Sequence, residues 1–575
     1  MTGPEPSVTQ RLRLREAELF LVLSLLIGVI AGMVAVLFSL AIDRLDYLLF
    51  GLDPGTARLV LVPALVGVIT GVLLVRWFAG VRGSGVPQTK AAFHLENGAI
   101  PARVPIGKFV MGVLCVGSGH SMGREGPSVQ IGAGIASVIG RWLRLPPARV
   151  RELVPVGVAG ALAAAFNTPV AAVLFALEEI IGDLNARLLG STVVASIASV
   201  VVQRSILGNE PLFHVPAYHL VHPAELVAYA VLGVAGGILS LIFCTALLRL
   251  RGWIRLLPQP TVAFQPAVGG LVLGLMLVAV PQVRGVGYEH VDQALNGGLL
   301  MPSLILLCAA KMVATVASYC SGNAGGIFAP SLFIGAMAGG IVGTIANAIA
   351  PFPTGEPGAY ALVGMGTLFA GIIRAPMTSV FMIFEITQDY QIIVPLMVAN
   401  LLSFTISRRF LPVPIYDALL RQDGVHLPSL PAREQSAWCA RDLMDDAPLF
   451  VPADSSVEAA WEVVRALDPP VVLVGTAERL VGAVTRDQLA AARDAGRGHD
   501  VVTALVREEA SAHVHPDHPL DVVVQRFAGS GGLLPVVSRA DARRVEGAIT
   551  LKEITAFATR AAASNTAATR QYRPE

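Results

Sequence analysis

Charge is scarce in this sequence. Asp, Glu, Lys and Arg make up 14% of its 575 residues, against about 25% in an average soluble protein. That excludes a chain that is water-soluble throughout. The few charges nearly cancel, to a formal +1, so neither sign is in excess and nothing suggests a nucleic-acid partner. Cysteine is rare too. The five cysteines have no C-x-x-C spacing and lie mostly in apolar segments, which excludes a disulfide framework and points to small buried side chains. A secretory signal is also missing: the N-terminus starts polar, and the apolar run that follows is longer than a signal core.

What is abundant is hydrophobic sequence, 54% of residues, with a mean hydropathy of +0.65. Apolar runs fill about residues 17–410, while the chain after about 430 is rich in Asp, Glu and Arg. The pattern predicts an all-α polytopic membrane domain followed by a soluble α/β one. A run of ~20 apolar residues crosses a bilayer core of ~30 Å. Arg11, Arg13 and Arg15 precede the first run, so the positive-inside rule puts residues 1–16 in the cytoplasm. Several later runs, such as 105–117, 358–373 and 376–386, are short or broken by Gly and Pro. Such segments predict half-membrane helices that end inside the bilayer, where broken backbone must be buried or line a wet cavity.

The membrane part repeats itself. GVAGALAAAFNTPVAAVLFALEEI from Gly157 matches GMGTLFAGIIRAPMTSVFMIFEIT from Gly364, pairing Pro169 with Pro376 and Glu178 with Glu385. KFVMGVLCVGSGHSMGREGPSVQIGAG from Lys108 matches KMVATVASYCSGNAGGIFAPSLFIGAM from Lys311, pairing Gly123 with Gly326, Pro127 with Pro330 and Gly132 with Gly335. Two related halves follow, roughly 17–210 and 220–411, which in secondary transporters meet at a midplane site. The pattern leaves open whether they are parallel or inverted.

Three glycine-rich breaks carry the chemistry: VRGSGVPQTK (81–90), GSGHSMGREGP (117–127) and SGNAGGIFAP (321–330). Gly83, Gly85, Gly123, Gly126 and Gly326 let the backbone turn tightly and expose its N–H groups. A helix-like run follows at least the second and third breaks. A helix N-terminus holds unpaired donors and about half a positive charge, which suits an anion. Several converging ends would hold a bare anion without a fixed cation that traps it. Within that setting Glu125 costs roughly 2.5–3.5 kcal/mol to insert, so it reads as functional.

GSGVP, GKFVMGVLCVGSGHSMGREGP and GGIFAP resemble the three signature stretches of the CLC family of chloride channels and proton-coupled chloride antiporters. The resemblance covers the whole membrane domain. It implies an inverted repeat with half-membrane helices, a homodimer with one pore per subunit, and chloride and protons as transported ions. By position, Ser84 and Tyr416 match the side chains that bind the central chloride. Ile327 and Phe328 match residues that offer backbone N–H groups. Glu125 matches the gating glutamate, and Glu179 the inner glutamate that passes protons in the antiporters. The repeat separates the two adjacent acids: Glu178 has a counterpart in Glu385 and reads as shared structure, whereas Glu179 pairs with Ile386. Lys108 and Lys311 form a repeat pair with a packing or pore-field role. Arg124 is expected to neutralise the mouth or orient a loop. Gln88 and Lys90 depart from the Glu common in bacterial antiporters of this kind, a change that bears on the inner field and on coupling.

The tail also looks duplicated. RLVGAVTRDQLAAA (479–492) resembles RVEGAITLKEITAF (544–557), and the two resemble a tandem CBS pair, about 437–498 and 499–560, with a disordered tail at 561–575. Thr550 and Glu553 fit the pattern by which such repeats hold a ribose, so an adenine nucleotide is the cofactor the resemblance allows. Thr485 does not fit it, because Asp487 comes one residue early and Gln488 takes its place. The stretch HVHPDH (513–518) reads as a solvated loop rather than a metal site. An oxidoreductase reading of VLCVGSGHSMG as a dinucleotide loop fails, because its flanks are membrane-length and its repeat copy loses the first glycine. A cation transporter would need intramembrane acidic clusters that are missing here. The expected function is therefore not enzymatic. It is proton-coupled chloride antiport in a cell inner or plasma membrane, with N-terminus and tail cytoplasmic and the bilayer as the medium. A passive CLC-type anion channel is the alternative.

Overall fold

The computed structural model describes residues 8–557 apart from 184–187, 210, 211, 214, 216–220, 428–438, 446, 507–512, 519, 528, 529 and 531. Side chains of the first helix are described from residue 18. The chain divides into two compact units, Met1–Pro428 and Ser429–Glu575.

Every longer element among the first unit's described residues is a helix. Its first half holds α1 (Val8–Phe50), α2 (Thr56–Arg76), α3 (Val86–Leu95), α4 (Arg103–Gly117), α5 (Glu125–Trp142), α6 (Pro147–Phe166), α7 (Pro169–Phe175) and α8 (Leu189–Leu207). The second half repeats the series as α9 (Glu225–Arg255), α10 (Gln265–Ala279), α11 (Tyr288–Leu295), α12 (Met301–Cys320), α13 (Phe328–Ile349), α14 (Pro357–Ile373), α15 (Pro376–Thr387) and α16 (Ile393–Phe410), and α17 (Ile415–Gln422) follows. Among the described residues seven helices are long and apolar enough to cross a membrane, and α10, α14 and α15 are apolar but shorter. Residues 8–16, expected as a separate segment, already belong to α1; Gln, Leu, Arg and Glu there are strong helix formers. Residues 1–7 and the expected tail at 561–575 lie outside the described residues.

The packing of α2 on α10 reveals how the halves are related. A Cβ on Gly270 would sit 2.2 Å from the Pro63 carbonyl oxygen, and one on Gly67 would sit 2.6 Å from that of Pro266. Further along, Gly274 meets Val60 and Gly71 meets Ala263. Residue numbers rise on one helix as they fall on the other, so these equivalent helices run antiparallel. Only a two-fold axis across the helices does that, which makes the repeat inverted. The same closeness recurs inside each half. Gly132 of α5 abuts Gly157 of α6, and Gly335 of α13 abuts Gly364 of α14, each glycine facing the other's carbonyl at 2.2–2.3 Å from an added Cβ. Without a hydrophobic drive between helices, such small-residue contacts are what bring backbones together in a bilayer.

The second unit is α/β. In order come α18 (Ala440–Leu443), β1 (Phe450–Val451), α19 (Val457–Leu467), β2 (Val471–Gly475), β3 (Leu480–Thr485) and α20 (Arg486–Asp494), then α21 (Leu520–Phe527), β4 (Leu533–Val537) and β5 (Val545–Thr550). β1 pairs parallel to β2, and β2 antiparallel to β3. The second copy repeats this: Val514 bridges Val536 in parallel, β4 pairs antiparallel to β5, and residues 551–557 are helical. Val471 and Leu473 pack against Leu533, Val537 and Val545, so the two small sheets share an apolar core.

Candidate functional site

The glycine-rich breaks meet where the halves meet. Gly123 donates to the Gly326 carbonyl and Gly326 to the Gly123 carbonyl, both at 2.8 Å. These are repeat partners, so the two-fold axis runs between them. Each lies just before a helix: Arg124 caps α5 and Ile327 caps α13. The first N–H groups of both helices lack intrahelical acceptors and therefore face the same enclosed region. The first break adds a third turn. Gly85 has φ +100°, and a Cβ there would strike Gln130 and the Gly126 carbonyl. A Cβ on Gly126 would strike the Ser84 hydroxyl at 2.6 Å. Glycine is thus what lets Ser84 approach the start of α5.

Two hydroxyls are left over in that region. Ser84 and Tyr416 are both fully buried, and their hydroxyls face one another; apart from that mutual approach neither has a hydrogen-bond partner in the protein. Buried polar groups are otherwise almost always paired, so the two orphans mark a place for an acceptor that the chain itself does not supply. Phe328 closes the wall, packed tilted against Phe166 and edge-on against Phe175 and Phe369 with ring centroids 4.4–5.8 Å apart.

Glu125 is fully buried at the first position of α5. Its carboxylate lies beside the N–H of Ala329 in the first turn of α13 and accepts a hydrogen bond from the Tyr288 hydroxyl. Tyr288 is in turn packed edge-on against Phe213 and lies under the Arg124 guanidinium, 5.6 Å from the ring centroid. Arg124 also lies 4.0 Å from Asp43. Tyr288 was not singled out from the sequence, although a signal exists: VRGVG (283–287) repeats VRGSG (81–85), and Tyr288 opens the helix that follows.

The two Lys of the repeat have equivalent work. Lys108 donates to the carbonyls of Val81 (2.9 Å) and Gly83 (2.6 Å), and Lys311 to those of Val283 (3.2 Å) and Gly285 (2.7 Å). Each holds one glycine turn in place. Glu178 and Glu385 are likewise reciprocal. Glu178 accepts from the N–H groups of Met377 (3.3 Å) and Thr378 (2.9 Å) at the start of α15. Glu385 accepts from those of Val170 (2.9 Å) and Ala171 (2.8 Å) at the start of α7. Glu179 has no such duty. It is buried in a π-helical turn, Ala176–Ile181, after α7, and its carboxylate is 2.8 Å from the Lys90 ammonium.

Two cavities flank the site. One, of about 430 Å³, is lined by Arg82, Arg251, Arg255, Gln88 and Tyr319, with Asp423 among the arginines. The other, of about 570 Å³, is lined by Asp43, Asp46, Glu289, Arg124, Arg284 and Tyr288. The repeat places the turns of Arg82 and Arg284 equivalently, but arginines of α9 line one mouth where aspartates of α1 line the other.

In the second unit, Thr485 caps α20 with Gln488, whose side chain accepts from the Thr485 N–H at 2.9 Å. Thr550 and Glu553 form the same pairing, the carboxylate accepting from the Thr550 N–H at 2.9 Å and from its hydroxyl. The departure at Gln488 therefore preserves the cap. His513 packs edge-on against His515 and His515 edge-on against His518, and His515 lies 3.0 Å from the Val537 carbonyl. No group of three metal-binding side chains is present among the described residues.

Two inverted helical halves that aim broken helices at one buried point define a membrane protein of the transporter and channel type. The chain belongs to the voltage gated chloride channel family, whose sequence pattern matches residues 66–408, and a CBS domain pattern matches residues 440–494. It is 32% identical over 419 residues to a ClcB-like chloride channel protein of Ralstonia nicotianae, covering 70% of this chain and 97% of that protein. It is also 32% identical over 428 residues to an H(+)/Cl(-) exchange transporter ClcA of Vibrio cholerae, covering 70% and 89%. Among solved structures, a slow cyanobacterial Cl-/H+ antiporter matches with TM-score 0.64 and 27% identity, over 70% of this chain and 97% of that one. A eukaryotic CLC transporter, 20% identical, shares the fold over 93% of this chain and 97% of its own, with TM-score 0.61.

Proposed function

We propose that this protein is a proton-coupled chloride antiporter. The observation that carries the reading is the pair of orphaned buried hydroxyls, Ser84 and Tyr416, beside helix starts that a carboxylate, Glu125, already occupies. A carboxylate is itself an anion. Ionised, it competes with chloride for the N–H groups of α5 and α13; protonated, it loses its hold and leaves. In this reading Ser84, Tyr416 and the N–H groups of Ile327 and Phe328 bind chloride. Gly83, Gly85, Gly123, Gly126 and Gly326 shape the backbone around it. Glu125 gates, and Glu179 relays protons from the cytoplasmic side. The relatives named as chloride/proton exchangers support it.

We further assign a homodimer in a cell inner or plasma membrane, with the N-terminus and the CBS unit cytoplasmic. The domain limits are the membrane halves 17–210 and 220–411 and the CBS pair 437–560; of the limiting residues, 210, 220, 437, 438 and 558–560 lie outside the described residues. Thr550 and Glu553 would face an adenine nucleotide.

The test is purified protein in liposomes under a chloride gradient, with external pH recorded. Uphill proton movement that disappears in Glu125→Gln is the expected result, and Glu179→Gln should stop protons while chloride still flows. Chloride flux without proton movement in the wild type would establish the second reading, a passive anion channel. Two observations favour that reading: Glu179 is engaged by an ammonium, and the Ralstonia relative is named a channel protein. Calorimetric titration with ATP tests the CBS assignment; Thr550→Ala should abolish any heat of binding.

A further inference from the structure

Lys90 stands between two carboxylates on different elements. Its ammonium is 2.8 Å from Glu179 of the π turn and 2.7 Å from Asp417 of α17. The side chains of Lys90 and Glu179 are 10% and 6% exposed, and that of Asp417 is 29% exposed, so one end of the triad is closed and the other is wet. Asp417 is the neighbour of Tyr416, and Lys90 lies on the helix that begins just after Ser84. The Lys90–Asp417 pair therefore fastens together the two elements that carry the orphaned hydroxyls.

We propose that Lys90 is a shared counter-ion that transmits the protonation state of Glu179 to α17, and so to Tyr416. This rests on the roles given to Glu179 and Tyr416 above. With Glu179 ionised, one ammonium serves two carboxylates that repel each other across it, and Asp417 is held loosely. When a proton from cytoplasmic water converts the Glu179 carboxylate to the neutral acid, that repulsion vanishes and the ammonium pairs with Asp417 alone. α17 is then drawn against α3, and Tyr416 closes on Ser84 while the proton is loaded. When the proton leaves, the ammonium is shared again and α17 relaxes. Low effective dielectric at a buried site makes such a change of one charge count, and breaking a buried pair from one side is far costlier than at a surface.

Other charges surround the triad. His94, one turn along α3, lies 3.1 Å from the Ile180 carbonyl and within electrostatic reach of Lys90, Asp417 and Arg151 of α6. Glu178 lies beside Glu179, and Arg374, at the end of α14, reaches both Asp417 and Glu179. None of these bridges the two elements as Lys90 does.

The experiment measures chloride flux through the full-length protein in planar bilayers, with pH set separately on each face and proton flux recorded alongside. Wild-type chloride flux should fall roughly threefold as the face bearing the C-terminal unit is taken from about pH 7.5 to about pH 5. Lys90→Met and Asp417→Asn should each flatten that profile, and Lys90→Arg, which keeps the charge, should retain it. A flat wild-type profile overturns the proposal, as does a wild-type profile in either neutral variant. Should Lys90→Met fail to fold, Asp417→Asn decides alone, since it leaves the Lys90–Glu179 pair intact. A Lys90-dependent profile without any proton movement would overturn the antiport reading and leave this one standing.

Discussion

Tyr288 and Glu125 come from opposite halves of the repeat, and their hydrogen bond joins the proposed gate to the far half. A hydrogen bond to an ionised group is worth about 1.5–3 kcal/mol. Tyr288→Phe should therefore release the carboxylate more readily and raise chloride turnover by roughly tenfold, read as the initial rate of chloride efflux from liposomes. The adjacent acids Glu178 and Glu179 offer a sharper contrast. Glu178 spends its oxygens on the N–H groups of α15, so Glu178→Gln should lower thermal stability by about 1–3 kcal/mol yet leave the proton-to-chloride ratio alone. Glu179→Gln should do the reverse, with the ratio read from the reversal of flux. A loss of coupling in Glu178→Gln would count against the division of labour drawn here.

Among helices, the crossing of α5 with α6 and of α13 with α14 depends on the absence of side chains. A Cβ on Gly335 would lie 2.3 Å from the Gly364 carbonyl oxygen, so Gly335→Ala should force the helices apart at a cost of about 1–3 kcal/mol. Gly190, at the start of α8, has nothing within 4 Å of an added Cβ. Gly190→Ala should leave stability unchanged or slightly raise it. Thermal aggregation in detergent compares the two, and equal melting temperatures would contradict the packing described. Lys311 makes a related case. Lys311→Met strips two buried carbonyls of their donor and frees the turn at Gly285 and Gly287 that leads to Tyr288, so both stability and the effect of Tyr288 should be lost together.

For the molecule as a whole, each of the two units has its own apolar core: one runs through the helical halves, and others through and between the small sheets. A chain ending at residue 428 should therefore still insert and carry chloride in the liposome assay. Loss of all flux in that truncation, with the protein still monodisperse in detergent, would show that the second unit is required for transport itself.

Much of this was legible in the sequence because the repeat leaves its mark on residues that cannot vary freely. Gly123 with Gly326 and Glu178 with Glu385 could be paired by inspection, since glycine at a backbone crossing and a carboxylate at a helix start have few substitutes. The glycine-rich breaks likewise located the starts of α5 and α13, because a helix begins where such a turn ends. The direction of the second half did not follow, since hydropathy is the same read upward or downward; the antiparallel packing of Gly67 and Gly270 decided it. Nor did the partners of Glu125 and Glu179. Tyr288 and Lys90 lie 163 and 89 positions from the carboxylates they touch, and no local period records a contact made only when two halves fold around one axis. From residue order alone come a two-fold membrane protein, its glycine-rich helix starts and a carboxylate present in one half. Which side chains hold that carboxylate, and which cation its inner companion shares, is set by the folded chain, because charge at a buried site is governed by distance in space.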